Sequence, residues 1–266
     1  LQTTTVNLAK NISFESTSDW AQYDSKGVLN TPSYSSSTSL LGTRSLSIVH
    51  PGNSGQVIYA YENIPVSLTQ TTSYTLSAYV KSSVIGAAHV SIETNGSPVT
   101  TSTDVKVDAA DVWQRISATI TVTNTAVTSL KIKLVVDAGA TVYFDGIQLE
   151  TGVGVNRYNM VENPSLEYVT STTPNGWTAT NMAGSDGSSS ATSAFNSKSY
   201  LVNGSALTDK SLSQTITVSG NAGDVFSYGG WAKANAAPKK SDRSFQVTFT
   251  FNNTDSTTTI VSVPFN

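Results

Sequence analysis

Few side chains in the 266-residue sequence are of the types that carry out acid–base or nucleophilic catalysis. Cysteine is absent, and the two histidines are His50 and His89. His50 precedes the turn-like run PGNSG, and His89 alternates with an apolar valine, so we expect a turn residue and a solvent-facing strand residue. Nucleophile-elbow, HExxH, Walker and glycine-rich dinucleotide motifs do not occur. The sequence therefore predicts a protein that is not an enzyme.

Carboxylates are the remaining candidates for catalysis, because two of them at a suitable separation can hydrolyse a glycosidic bond. Their separation in space cannot be read from a sequence, and we expect most of them in turns or at the rim of a sheet. A glycosidase therefore stays the least favoured class. The acidic residues considered are Asp108, Asp111, Asp137, Asp145 and Glu150.

Aromatic and basic side chains recur two residues apart, the spacing that puts both on one face of a β-strand. An exposed ring can stack on the apolar side of a pyranose, while polar neighbours bind its hydroxyl groups. His89 and Glu93 share this parity, so we expect one groove on a single sheet face. The predicted ligand-binding residues are Tyr59, Tyr61, Tyr79, Lys81, Trp231 and Lys233. The alternative is that these rings cover a sheet beneath a loop or pack between domains.

The chain contains an internal repeat whose copies lie about 150 residues apart. VNLAKNISFE at 6–15 matches YNMVENPSLE at 158–167, and Trp20 and Trp177 follow them. Farther along, GTRSLSIV matches NSKSYLVN, and TSYTLSAYVKS matches DVFSYGGWAKA, in the same order. We therefore predict a domain at 1–151, a short linker at 152–157 with limited hinge freedom, and a second domain at 158–266.

Period-two apolar runs, bounded by Ser, Thr, Gly, Asn or Pro, predict an all-β fold. Leu76, Ala78 and Val80 form one expected core row, and alternate residues of 130–136 form another. Short strands joined by turns, without a helical stripe, favour two tandem antiparallel β-sandwich domains of the jelly-roll type. The predicted strands of the first domain are 6–14, 45–49, 56–66, 73–81, 88–93, 114–122, 130–136 and 141–149.

The second copy ends before any counterpart of the last three predicted strands of the first copy. An incomplete sandwich would expose sheet edges and an apolar face, which invites strand pairing. We expect the missing strands to come from the rest of a longer parent chain, or from another subunit by strand addition. The apolar residues that would be exposed are Phe245, Val247, Phe249 and Phe251.

The amino-acid composition restricts the classes of binding partner and the cellular location that we expect for the protein. Charged residues make up 12% of the chain and the formal net charge is −3, so a nucleic acid, which needs clustered lysine and arginine, is disfavoured. Without cysteine there are no disulfides and no thiolate metal sites. No apolar run approaches the roughly 18 residues of a membrane span, so no membrane insertion is expected. Chains with this Ser- and Thr-rich composition are common among exported bacterial proteins, which favours secretion or the cell surface.

Several of these motifs carry a family resemblance. NLAKNISFE, a following tryptophan, GTRSLSI, SYTLSAYVK, WQRISATITV and VYFDGIQLE resemble the jelly-roll carbohydrate-binding modules attached to bacterial polysaccharide hydrolases. The junction VYFDGIQLETGVGVNRYNMVENPSLE, with LSQTITVSGNAGDVFSYGGWAKA, resembles the tandem carbohydrate-binding-like domains of large secreted Rhs or YD-repeat and wall-associated proteins of Gram-positive bacteria. The resemblance implies fold and context more specifically than it implies a ligand.

The same resemblance implies a structural calcium ion that joins the first strand to the last. Its carboxylates fall on Glu15, in the SFE run, and Asp145, in the YFD run. Calcium takes about six to eight oxygen ligands, so backbone carbonyl groups would complete the site. The alternative is that both side chains only accept hydrogen bonds from backbone N–H or hydroxyl groups. Glu167 matches Glu15 in the second copy.

Two function classes follow from these observations. The favoured one is a non-catalytic, extracellular carbohydrate-binding tandem within a larger bacterial surface or secreted protein, with a polysaccharide or cell-wall glycan as ligand. The second is a structural or adhesive spacer, or a fibre subunit, whose incomplete copy is finished by strands from a neighbouring molecule. Loss of glycan binding on replacing Tyr79, or concentration-dependent assembly without any glycan, would separate them.

Overall fold

Strands are the regular secondary structure throughout the described part of the computed structural model. That part comprises residues 6–102, 105–137, 139–194, 197–218, 223–234 and 244–265. Within it no helix is long and apolar enough to cross a membrane. The chain divides into two units, Leu1–Ser219 and Gly220–Asn266.

The first unit contains an antiparallel sandwich of two sheets. A four-stranded sheet has the order β1-β4-β8-β6, and a five-stranded sheet has the order β2-β3-β9-β5-β7. This arrangement confirms the predicted all-β fold. The strands are β1 (Ala21–Asp24), β2 (Ser33–Ser35), β3 (Ser45–Val49), β4 (Ile58–Pro65), β5 (Thr72–Ser82), β6 (Ala88–Thr94), β7 (Gln114–Val122), β8 (Ser129–Val136) and β9 (Thr141–Thr151).

The core lies between the two sheets, where alternate residues of each strand meet. Leu76, Ala78 and Val80 of β5 are completely buried, as are Leu130, Ile132 and Leu134 of β8, so both predicted core rows are confirmed. Each fully buried Leu or Ile side chain contributes about 1.5–3 kcal/mol relative to an exposed one. This apolar layer holds the outward-facing side chains of β4 and β8 in place.

Residues 6–14 do not form the predicted strand. Asn11 and Phe14 have φ values of 45° and 57°, in the left-handed region, and the N–H of Phe14 donates back to the Asn11 carbonyl. The segment turns instead of extending, although it still runs beside β9 through the hydrogen bond from the Leu8 N–H to Leu149. Its alternating pattern reflects burial of a loop against the sandwich.

Two short strands and one histidine also differ from the sequence expectations. β1 and β2 were not predicted, because three or four residues are too few to show a period-two pattern. His89 was expected to face solvent, but it is 8% exposed. It is covered because its imidazole binds Asp137 and its strand lies beside the segment that contains Lys106.

The rest of the first unit also contains short two-stranded pairs. They are β10 with β11, β12 with β15, and β13 with β14. The strands are β10 (Val169–Thr170), β11 (Thr173–Pro174), β12 (Thr178–Thr180), β13 (Gly187–Ser189), β14 (Ser199–Leu201) and β15 (Ser211–Ser213).

Segments 6–15 and 158–167 have equivalent local hydrogen bonds. The Asn11 amide donates to the carbonyls of Ser16 and Ser18, and the Asn163 amide donates to those of Tyr168 and Asn175. In the same way, the indole of Trp20 donates to the Lys10 carbonyl, and that of Trp177 donates to the Glu162 carbonyl. The repeated sequence therefore produces the same local structure twice, while the domain boundaries 1–151, 152–157 and 158–266 stay a prediction.

The second unit contains a hairpin of β16 (Gln246–Asn252) and β17 (Thr258–Pro264). One face of the hairpin is apolar, and the rings of Phe226 and Tyr228 stack against Phe249 on that face. Residues 226–233, which match β5 in sequence, form no strand. β5 is hydrogen-bonded on both sides, by β7 and β9. Among the described residues, no strand forms a backbone hydrogen-bond ladder with 226–233.

Candidate functional site

Three tyrosine rings form a row on the outer face of the four-stranded sheet. Alternation along β4 turns Tyr59 and Tyr61 outward and buries the residues between and beside them. Tyr23 of β1 lies directly opposite Tyr59 in the ladder, and their rings stack with centroids 5.0 Å apart. Tyr61 meets Tyr59 edge to face at 5.8 Å. The row is thus built by cross-strand pairing between neighbouring strands.

A charged row lies beside the tyrosines. Lys131 and Lys133 of β8 both form ion pairs with Glu93 of β6. The Lys133 ammonium also lies 5.0 Å from the centre of the Tyr59 ring, and that of Lys131 lies 5.5 Å from the centre of the Tyr61 ring. Lysines over aromatic faces favour fixed ring positions, because the ammonium is attracted to the electron-rich face.

Tyr23 is the most accessible ring of this row. Its side chain is 44% exposed, whereas Tyr59 is flanked by both Tyr23 and Lys133. Burial, followed by the nearby Glu93 carboxylate, raises the pKa of Tyr59, so its hydroxyl stays protonated. Sequence reasoning missed Tyr23, although the run AQYD alternates and could have placed this ring on the outer face.

A second charged group lies at the end of the same sheet. Asp137 accepts from the His89 imidazole at 2.9 Å and from the Lys106 ammonium at 2.8 Å. Burial acts to raise the pKa of Asp137, but these two partners hold it below its usual value. His89 and Lys106 both bind Asp137, and these contacts hold the Lys106 segment against the sheet. The role of this group is therefore structural.

Tyr79 and Lys81 lie on β5, in the other sheet. The Tyr79 ring packs edge to face against Tyr158 at 6.2 Å, and the Arg115 guanidinium lies 5.6 Å from its centre. Arg115 also donates to the carbonyl of Asn156 in the predicted linker. Tyr79 therefore packs between the two repeats, which is the arrangement that the alternative interpretation of these rings expects.

The prediction of one groove shared by all these residues is wrong. Tyr59 and Tyr61 lie on the four-stranded sheet, and Tyr79 and Lys81 lie on the five-stranded sheet. Sequence parity predicts the side of a strand but not the sheet to which that strand belongs. Trp231 and Lys233 belong to the second unit, where both are exposed and outside any strand. A ligand-binding role for each residue stays a prediction.

Glu15 and Asp145 both bind the backbone of residues 40–44. Glu15 Oε1 accepts from the N–H groups of Thr43 and Arg44, at 2.8 and 3.0 Å. Asp145 Oδ2 accepts from the N–H groups of Leu40 and Leu41, each at 2.8 Å. Gly42 lies between these contacts with φ 60°, and a Cβ there would lie 2.3 Å from Glu15 Oε1. These are the hydrogen bonds of the alternative role that the sequence analysis left open.

The carboxylate oxygens of Glu15 and Asp145 also suit calcium, a hard cation that prefers oxygen ligands. Asp145 is completely buried, and burial, with a smaller contribution from Glu15, raises its pKa to about 7. A bound cation would offset that cost. Among the described residues no three His, Cys, Asp or Glu side chains cluster, so the remaining ligands would be backbone carbonyls or water. Glu167 repeats the pattern of Glu15, with Ser197 and Lys198 as donors.

Of the carboxylates considered for catalysis, Asp137, Asp145 and Glu150 have structural partners. Asp137 binds His89 and Asp145 binds loop N–H groups, as described above. Glu150 is buried and accepts from the N–H and the side-chain amide of Asn156. These contacts hold loops and the linker in place.

Comparison with solved structures returns several carbohydrate-binding modules of low identity. TmCBM61 in complex with beta-1,4-galactotriose is 15% identical with a TM-score of 0.40, over 55% of this chain and 99% of that chain. The xylan-binding domain from Paenibacillus barcinonensis is 15% identical with a TM-score of 0.42, over 58% and 100%. The N-terminal cellulose-binding domain from Cellulomonas fimi beta-1,4-glucanase C is 19% identical with a TM-score of 0.35, over 51% and 90%.

Sequence comparison gives the family. No curated protein matches the chain. The carbohydrate binding domain family, in contrast, matches residues 6–139, which cover strands β1 to β8 and half of the whole sequence. That stretch includes the tyrosine row, the charged row beside it and Glu15, so the protein belongs to the carbohydrate binding domain family.

Proposed function

We propose that the protein is a non-catalytic carbohydrate-binding module and that its binding surface is the outer face of the four-stranded sheet. The observation that carries this proposal is the row of Tyr23, Tyr59 and Tyr61 on one face. A pyranose ring stacks on the accessible face of Tyr23, and its hydroxyl groups exchange hydrogen bonds with the lysine and glutamate side chains beside the row. Neighbouring rings and ion pairs already hold these groups in place, which lowers the entropy lost on binding.

Binding measurements on two tyrosine variants test this surface. The probes are soluble polysaccharides of several backbones in affinity gels, followed by calorimetry on any that retard the protein. We expect Tyr23→Ala to weaken binding about tenfold, since an aromatic stack contributes up to about 1.5 kcal/mol and about 1.4 kcal/mol corresponds to a tenfold change in affinity. Tyr143→Ala, a ring on β9 of the other sheet, is the matched control and retains binding. Equal affinity of the two variants would exclude the tyrosine row.

We further propose a tandem, extracellular context within a larger bacterial secreted or surface protein. The support is the repeated hydrogen bonding around Asn11 and Asn163, together with the sequence resemblance to Rhs or YD-repeat and wall-associated proteins. A polysaccharide or cell-wall glycan would be the partner. Fractionation of the native host, with the protein followed by antibody, tests this context.

A structural or adhesive spacer is the second candidate, and the hairpin of the second unit favours it. Val263 of β17 is 53% exposed, and Phe245, the residue just before β16, is 40% exposed. Strands supplied by the rest of a parent chain or by another subunit would cover this face. Sedimentation over a range of concentrations tests assembly: association without glycan binding would favour the spacer.

We also propose that Glu15 and Asp145 hold a structural calcium ion. This proposal is supported by the burial of Asp145 and by the position of both carboxylates on the loop 40–44. The ion would stabilise the loop against β9 and would take no part in contacts with the glycan.

A further inference from the structure

We propose a second glycan-binding site, in a cleft formed where the two repeats meet within the first unit. This inference extends the proposed carbohydrate-binding function to a surface that is separate from the tyrosine row. The cleft has a volume of about 560 Å³. Its walls come from segments 9–19 and 41–42 on one side, and from segments 158–176 and 214–217 on the other. Sites for small molecules range over about 300–1,000 Å³, so one or two sugar rings fit this volume.

The walls of the cleft are fixed to each other by hydrogen bonds between the repeats. The Asn11 N–H donates to Glu162 Oε1 at 2.7 Å, and the Tyr168 hydroxyl donates to the Leu8 carbonyl at 2.8 Å. Gln214 closes the far wall, where its amide donates to the carbonyls of Glu162 and Gly176. Because the walls are already held together, the cleft loses little conformational entropy when a ligand binds.

The polar groups of the cleft suit a ligand with many hydroxyl groups. The Lys10 ammonium lies 4.3 Å from the centre of the Tyr168 ring, and no carboxylate of the described residues lies within ion-pair distance of it. Asp19 and several serine hydroxyls supply acceptors on the same wall. Hydroxyl groups both donate and accept, so a sugar can bridge an ammonium and a carboxylate that do not meet directly.

Apolar side chains line the same cleft. Tyr158, Leu41 and Met160 contribute rings and aliphatic surface beside the polar groups. Pyranose rings have apolar faces as well as hydroxyl edges, so this mixture matches a sugar better than it matches a purely ionic ligand.

The charges of the cleft argue for a neutral ligand. The cleft is lined by one lysine and by three carboxylates, those of Glu15, Asp19 and Glu162, which disfavours an anionic ligand. A cationic ligand is also disfavoured, because Glu162 already accepts the Asn11 N–H and Glu15 belongs to the proposed calcium site. Glu62 Oε2 accepts from the N–H of Lys10, a residue that lines the cleft, and Glu62 Oε1 is buried without a partner. A neutral oligosaccharide is the ligand class that these groups favour.

A blocking substitution tests the cleft without removing any buried contact. Thr215 lines the cleft and is exposed, so Thr215→Trp fills space inside it. Thr208→Trp places the same ring at an exposed position outside the cleft and is the matched control. Binding is measured by calorimetry with the β-1,4-linked tetraoses of glucose, xylose and galactose as probes, on the full chain with calcium present. Melting curves confirm that each variant is folded.

We expect two binding events per wild-type chain for at least one tetraose. Thr215→Trp removes one event, Tyr23→Ala removes the other, and Thr208→Trp retains both. A single event that persists in Thr215→Trp and disappears in Tyr23→Ala overturns the cleft and leaves the proposed function intact. A single event with the opposite response supports the cleft and excludes the tyrosine row. No event with any tetraose overturns the cleft, and the polysaccharide assay above then decides the tyrosine row separately.

Discussion

Glu62 and Gln214 occupy equivalent positions in the two repeats. Glu62 Oε2 accepts from the Lys10 N–H at 3.1 Å, and Gln214 Oε1 accepts from the Glu162 N–H at 2.8 Å. Glu62 is 4% exposed, and burial raises its pKa to about 8, so at neutral pH it is mostly a protonated acid. A neutral carboxyl group thus accepts a backbone hydrogen bond in the first repeat, and a side-chain amide accepts the equivalent bond in the second.

Glu62→Gln should therefore remove a pH dependence of folding stability. A carboxyl whose folded pKa is raised stabilises fully below its unfolded pKa, near 4.5, and loses that contribution as the pH rises through about 8. The wild type should lose up to about 1.4 kcal/mol per pH unit in this window relative to Glu62→Gln. Urea unfolding of both proteins at several pH values measures the difference. A constant difference from about pH 5 to pH 9 would contradict a neutral Glu62.

Calcium should raise the melting temperature more at alkaline than at acid pH. Burial raises the pKa of Asp145 to about 7, so its carboxylate is free to bind an ion above that pH and is protonated below it. Scanning calorimetry with calcium and with a chelator, near pH 5 and near pH 8, measures the shift. Asp145→Asn should abolish it, and Glu167→Gln, at the matching position of the second repeat, should retain it. An unchanged melting temperature on chelation at pH 8 would rule out a stabilising ion.

Tyr79→Ala should lower stability and leave glycan affinity unchanged. The Tyr79 ring contacts Tyr158, and its Cδ2 lies 2.8 Å from where a Cβ of Gly146 would lie. Losing this packing should cost about 2 kcal/mol in the free energy of unfolding. Lys81→Ala, two residues away on the same strand, is the control and should change stability little. Lost binding with unchanged stability would instead identify Tyr79 as a ligand-binding residue.

Gly42→Ala should destabilise the first unit more than Gly27→Ala does. Both glycines have positive φ, at 60° and 74°, so both substitutions incur a backbone cost of about 1 kcal/mol. Only at Gly42 would the new Cβ meet another group, because Glu15 Oε1 lies 2.3 Å away, whereas nothing lies within 4 Å at Gly27. Denaturant unfolding should show the larger loss for Gly42→Ala, and equal losses would mean that Glu15 moves aside.

Much of the fold could be read from local patterns. The predicted strands at 114–122 and 130–136 coincide with β7 and β8 to within one residue, and the buried row of Leu76, Ala78 and Val80 follows from alternation alone. Strand periodicity depends on neighbouring residues, so it is visible in a sequence. The repeat was also visible in the sequence, because the same residues recur at the same spacing. In the structure these residues form the same local hydrogen bonds in both copies.

The candidate site depended on tertiary structure. Sequence parity put Tyr59 and Tyr79 on one face, but pairing of distant strands puts them on different sheets. Tyr23 joins the row because β1 pairs with β4, and Tyr79 is covered because residue 158 of the next repeat packs on it. The sequence by itself determined which side of each strand is apolar. Only the three-dimensional structure decided which outward faces meet solvent, because strand order and coverage arise from contacts between residues far apart in the chain.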